Sequence, residues 1–281
     1  MYTTPVTQTS NNKIIVLGKK TKAGLTNFLL VYLKSFLRSK DLTKKHLIVT
    51  FFKSLKPIST EITLQRIGEA NDGGYLVPSN YLNSCGLISP GTGDTISFDV
   101  DLTNGSMPGI LIDGSVESPK NLPMNLKFLK KYLGISGQDN VSLPEIIETY
   151  FPKCKDLILS MDIEGAEYEV LNSISIHDLI KFRIIVIELH WLHRILNIYD
   201  YAKVFEPSVK KLLDNFYVLH FHCNNAGGFF YFRGMKFPRV IELTLIRKDC
   251  VEYIYGSAEL PHKLDAPNNP NFKDISLPSC I

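Results

Sequence analysis

An alternation that begins at Gly86 constrains this chain more than any other feature: short runs of Ile, Leu and Val take turns with stretches of helical spacing. Runs that are apolar throughout, instead of at every second residue, suit strands buried on both faces, and the helices between them supply the cover. The expected strands are Gly86 to Ser89, Ile110 to Ile112, Asp156 to Met161, Arg183 to Leu189, Tyr217 to Phe221 and Val240 to Arg247. Helices are expected at about 94–103, 119–133, 143–151, 167–180 and 201–214. The last two strands have only a loop between them, Asn224 to Pro238, so the sheet should close with an antiparallel hairpin. The expected fold is therefore α/β, a doubly wound and mainly parallel sheet with an antiparallel end.

Charge divides the chain. Residues 1 to 56 hold eleven Lys and Arg against the single Asp41, although the whole chain carries only +3. In that segment Leu25, Phe28, Leu29, Tyr32, Leu33, Phe36 and Leu37 recur at helical spacing, with Lys34 and Arg38 outside the stripe. The expected organisation is a basic, largely helical extension over 1–60, a main domain over 61–260 and an extended tail over 261–281. The basic helix either packs on its own domain or touches an anionic membrane or a partner. The five cysteines are scattered, with no zinc spacing, and no run reaches the ~20 apolar residues of a membrane span. A reduced, cytoplasmic protein is expected, with peripheral membrane contact as an addition.

In doubly wound sheets ligands bind just beyond the carboxyl ends of strands, so the residues there are the candidates. Gly91 and Gly93 let the backbone approach a ligand, and Asp94 is suited to cap the next helix. The longer dinucleotide fingerprint fails because its third glycine falls at Ile96. Asp113 follows the second strand about twenty residues on, where a carboxylate can accept hydrogen bonds from ribose hydroxyls. Asp162, Glu164 and Glu167 cluster after the third expected strand; Asp162 and Glu164 are functional candidates and Glu167 reads as a first-turn helix residue. Glu188 shares a strand face with His190, and His220 with His222. His220 reads as structural, whereas Glu188, His190 and His222 can carry proton transfer or hold a divalent ion.

These residues resemble the FkbM-type methyltransferase family. The likeness rests on Arg66-Ile67-Gly68 leading to Asp72-Gly73-Gly74-Tyr75, on Gly91 through Phe98, and above all on Met161-Asp162-Ile163-Glu164-Gly165-Ala166-Glu167. It covers roughly residues 61 to 250. The resemblance implies a seven-stranded class I methyltransferase fold, S-adenosylmethionine as cofactor, and methylation of a hydroxyl on a small molecule or glycan. It also implies cofactor contacts from Gly91, Gly93, Asp94, Ser97, Asp113 and Asp162, with Asp72, Gly73, Gly74 and Tyr75 closing over them. The first loop departs from the commoner pattern, with Ser89-Pro90-Gly91 where an acidic residue and Gly-Ala-Asn are frequent.

The acceptor hydroxyl is then expected near Asp162, Glu188, His190 and His222, with His190 or His222 as base, or with Mg or Mn held by Asp162 and Glu188. Two alternatives compete. Asp99-Val100-Asp101 fits the D-x-D pattern of metal-dependent nucleotide-sugar glycosyltransferases, although it falls inside an expected helix. A non-catalytic, methyltransferase-like scaffold is the other. Nucleic acid is not an expected partner, since the main domain is acidic and lacks a base-amine methylation motif.

Overall fold

The computed structural model describes residues 16–17, 41–79, 84–134 and 137–281. The helix expected over Leu25 to Leu37 lies outside them. A seven-stranded sheet forms the centre, with β1 Gly86–Pro90, β2 Gly109–Ile112, β3 Leu126–Leu129, β4 Leu157–Met161, β5 Phe182–Leu189, β6 Phe216–Cys223 and β7 Ile241–Arg247. Their order across the sheet is β6-β7-β5-β4-β1-β2-β3, and only β7 runs against the others. This is the expected class I methyltransferase arrangement. All five residues of β1 and of β4 are buried, in keeping with uninterrupted apolar runs in a sheet covered on both sides.

The two faces differ in what they bury. Ile88, Leu159, Met161, Ile185 and Ile187 belong to the larger core with the helices α1 Lys45–Ser54, α3 Leu143–Tyr150, α4 Glu167–Ser173 and α6 Glu206–Asn215. Leu87, Ile158, Ile184 and Val186 point the other way, onto Phe98 and Leu102 of helix α2 Ser97–Thr103 and onto Val77. Helix α1 joins the larger core directly, stacking Phe52 on Phe237 and setting Phe51 edge-on to Phe205.

Several expectations need correction. No helix forms over 119–133: Pro119 and Pro123 break its start, and the chain instead pairs Leu126 to Leu129 with β2 as an edge strand. Helix α2 begins at Ser97, not at 94, and its N-cap position Ile96 makes no side-chain bond, so the exposed Asp94 caps nothing. The helix expected over 167–180 breaks at Ile174, and Ser175 caps the short helix α5 Ile176–Leu179. The stretch from Asn224 to Pro238 is more than a loop, because Phe229–Phe232 and Met235–Pro238 form a hairpin, which pairs in turn with Val16–Leu17. The cysteines are not all free: Cys85 and Cys154 are joined as a disulfide with their Cα atoms 5.9 Å apart. Among the described residues no helix is long and apolar enough to cross a membrane.

A second hairpin, Leu64–Gly68 with Gly74–Pro78, lies beside α2. Its turn is held by the Arg66 guanidinium, which donates to the Glu69 and Asn71 carbonyls. Tyr75 meets Phe98 edge-on at 5.1 Å. The chain from His262 onward then crosses the same side of the sheet, where it sets Asp265 and Asn268 against His220 and Glu242, before Ile275 joins the larger core.

Candidate active site

The second face of the sheet changes character along the strands. The alternation that buries Ile158 on β4 next presents Ser160 and then Asp162; on β5 it runs Ile184, Val186, Glu188, His190; on β7 it runs Ile246, Thr244, Glu242. Pairing lines these polar ends up, with Met161 opposite Ile187, Glu188 opposite Glu242, and Glu242 opposite His222. A row of titratable side chains therefore crosses the sheet at the carboxyl ends of β4 and β5, the amino end of the antiparallel β7 and the carboxyl end of β6.

Beside this row lies a cleft of about 620 Å³ that contains Asp72, Gly73, Tyr75, Gly91, Gly93, Asp94, Asp113 and Asp162 in its walls. Gly91 sits at φ +83°, and a Cβ there would lie 1.5 Å from the Asp162 carbonyl oxygen, so only glycine lets the β1 turn lie against the end of β4. The Gly93 amide donates to Asp113 Oδ2 at 2.9 Å, while Ser115 donates to Oδ1 through its amide and its hydroxyl. Burial opposes ionisation of Asp113, but the Ser115 and Gly93 bonds outweigh it and hold the carboxyl below its usual range. The glycine turn and Asp113 thus meet on one side of the sheet, as the sequence implied. Gly74 belongs to the hairpin strand behind the cleft wall, and the buried Ser97 hydroxyl has no partner and does not line the cleft.

The remaining candidates split. His190 is the hub: its Nδ1 lies 2.9 Å from Glu167 Oε1, and its Nε2 lies 3.7 Å from Asp162, 3.5 Å from Glu164 and 4.0 Å from Glu188. Burial works against a charged imidazole here, yet the Glu167 bond and the surrounding carboxylates raise His190 above its ordinary value. Burial also lifts Asp162 to about 6 and Glu188 well above the usual carboxylate range, where the neighbouring Asp162 and Glu242 charges add to the effect. Asp162, Glu188 and His190 offer ligand atoms that all lie within 4.8 Å of one another, a spacing compatible with one cation. His222 stands apart, 3.4 Å from Glu242 and 3.6 Å from Asp274 of the tail. His220 binds Asp265 at 2.7 Å, a structural contact. Neither Glu188, His190 nor His222 lines the cleft; Asp162 and Glu164 connect it to His190, and Asp162 to Glu188.

Glu167 was read as a helix residue and it is one, yet it is wholly buried, accepts from the Ile163 and Gly165 amides, and orients His190. Its i, i+23 relation to His190 left no local signal. The turn that delivers it is tight: Glu164 takes φ +55°, Gly165 takes φ +109°, and Trp191 at φ +58° donates its indole N–H to the Glu164 carbonyl.

A family model described as the methyltransferase FkbM domain matches residues 77–222, just over half of the chain. The chain belongs to the FkbM methyltransferase family. The protein is accordingly a methyltransferase, and the FkbM match runs from the hairpin through β6, taking in the glycine turn, Asp113, Asp162, Glu167 and His190. Asp72 to Tyr75 and Glu242 lie outside it. No curated protein matches the chain. Among solved structures it is similar to a tryptophan-to-alanine mutant of the 16S rRNA (adenine(1408)-N(1))-methyltransferase from Catenulisporales acidiphilia. That likeness has 12% identity, covers 65% of this chain and 98% of that one, and has a TM-score of 0.29, too low to argue from.

Proposed function

We propose that this FkbM methyltransferase uses S-adenosylmethionine to methylate a hydroxyl of a small molecule or glycan. The observation that supports it most is the 2.9 Å contact between the Gly93 amide and Asp113, which puts a glycine turn and an ionised acceptor in one cleft. The donor set suits the cofactor. Asp113 Oδ2 keeps a lone pair for a ribose hydroxyl, and the buried Thr92 hydroxyl in the same cleft has no partner in the protein. Gly91, Gly93 and Asp113 would hold it, with Asp72, Gly73 and Tyr75 at the rim. When bound, S-adenosylmethionine supplies an electrophilic methyl group.

The protein's own part is to place a hydroxyl and take its proton. Asp162 and Glu164 lead from the cleft to His190, whose Nδ1 is fixed by Glu167 so that Nε2 faces inward. In this reading Nε2 accepts the hydroxyl proton, and Glu167 stabilises the imidazolium that results. A second arrangement is favoured by the spacing of Asp162, Glu188 and His190, which could hold Mg or Mn and acidify the hydroxyl directly.

Calorimetric titration with S-adenosylmethionine and S-adenosylhomocysteine, with and without Mg or Mn, tests the reading. Binding of both is expected, weakened about tenfold or more by Asp113→Ala. His190→Ala should leave that binding intact and lower turnover on an accepted hydroxyl by roughly 10²-fold or more. Turnover that survives chelation assigns proton removal to His190 alone. Absence of binding by either adenosyl compound removes the reading.

A further inference from the structure

Asp99, the first acid of the D-x-D pair, finds no use in the reading above. It lies in the first turn of α2, is only 3% exposed, and nevertheless borders the cleft. Its carboxyl bonds to the Ser89 hydroxyl on β1, while its Oδ1 is buried without any partner. A buried, half-satisfied carboxyl is costly, and such a group in a ligand cleft points to a donor that arrives with the ligand. Its partner in the sequence, Asp101, is exposed, so the pair does not act together as a metal clasp.

Asp113 is bonded by Gly93 and Ser115, and Asp94, Asp72 and Glu164 are exposed. Asp162 Oδ1 is likewise buried without a hydrogen bond, but it already has a cation partner within the protein in His190, 3.7 Å away, whereas Asp99 has only the neutral Ser89 hydroxyl. Ser89 stands on β1 between β2, which carries Asp113, and β4, whose Ser160 also lines the cleft. With the ribose at Asp113, the stretch of cleft toward β4 falls to the amino-acid end of the cofactor. That end carries a primary ammonium, three donors on a full positive charge.

We propose that Asp99 is the carboxylate that receives the ammonium of the cofactor's methionine end, reaching the cleft from helix α2 through Ser89. This rests on the cofactor reading above. Burial pushes the free Asp99 carboxyl up to about 7, so arrival of a cation at neutral pH should also drive a proton off it.

The test compares two neutral thioethers by calorimetry: S-adenosylhomocysteine, which has the ammonium, and 5′-methylthioadenosine, which lacks the whole amino-acid part. In Asp99→Asn, affinity for S-adenosylhomocysteine should fall about tenfold or more while that for methylthioadenosine stays within about twofold. The retained methylthioadenosine binding shows that the variant is folded. In the wild-type protein near pH 7, only S-adenosylhomocysteine should release a proton, read from the dependence of binding heat on buffer ionisation enthalpy. This second measurement needs no variant. Equal losses for both compounds, or unchanged binding of both together with no difference in proton release, overturn the role of Asp99 alone. Wild-type protein that binds neither compound removes the cofactor reading as well.

Discussion

Asp99 also makes a claim on stability that no ligand is needed to test. Its folded value near 7 stands above the ordinary 3.8, so between these limits the folded protein holds a proton that the unfolded chain releases. Folding stability from this group is therefore present at low pH and lost as pH rises toward and past 7. Asp99→Asn keeps the shape and removes the charge. Relative to wild type, the variant should gain about 3 kcal/mol between pH 5 and pH 8, measured by denaturant unfolding at each pH; a gap that does not change with pH refutes the burial argument. Residues of this kind are poorly legible in sequence. Asp113, Asp162 and Glu188 could be singled out because each stands at or just past the end of an apolar strand, whereas Asp99 and Glu167 lie within helices where acids are ordinary. Only the fold, which sets α2 against β1 and Glu167 under His190, gives those two carboxyls their surroundings.

At the scale of elements, the site depends on how closely the β1 turn lies on β4. Gly91→Ala forces a left-handed residue and a 1.5 Å approach to the Asp162 carbonyl. The chain has to part there, which moves Asp162 and the Gly93 amide together. The variant should lose about 2 kcal/mol or more of stability and bind S-adenosylhomocysteine at least tenfold more weakly. A Gly91→Ala protein with wild-type melting and affinity would contradict this packing. Strands of unbroken apolar residues were readable to within a residue or two, as β1, β4 and β5 show. The third strand was not: Leu126, Leu129 and Leu133 satisfy helical spacing as well as they satisfy an edge strand, and the pairing with β2 that decides the matter is non-local. The hairpin of Phe229–Phe232 and Met235–Pro238 was missed for a related reason. Its Arg233-Gly234 turn, with φ +47° and φ +82°, is a regular hairpin signal, but Phe229 to Phe232 are aromatic at successive positions, and Met235-Lys236-Phe237 alternates over only three residues.

Across the whole molecule, the polar row needs a roof, and the tail supplies it. Asn268 donates from one amide to Glu242 and, at 3.2 Å, to Asp72, so a single side chain ties the middle of the sheet to the hairpin turn at the cleft rim. The Asp72 amide returns the contact by donating to the Asn268 carbonyl. On either side Asp265 meets His220 and Asp274 approaches His222. The proline-rich composition of this segment is compatible with an extended strap, but nothing in it announces that Asn268 would be 7% exposed over a buried glutamate. Asn268→Asp replaces that donor with an acceptor facing Glu242 and Asp72. The new carboxyl, buried beside like charges, has its folded pKa raised above the unfolded value, so its cost is greatest at high pH and shrinks as pH falls through that raised value. The melting temperature should drop by roughly 5 °C or more at pH 8 and by clearly less at pH 5. Because the same amide holds Asp72 at the rim, S-adenosylhomocysteine affinity should weaken in parallel, although the substitution lies in a segment that the FkbM match does not reach. A variant that melts like wild type at both pH values would show that the tail lies on the sheet without bracing it, and would detach the strap from the cleft.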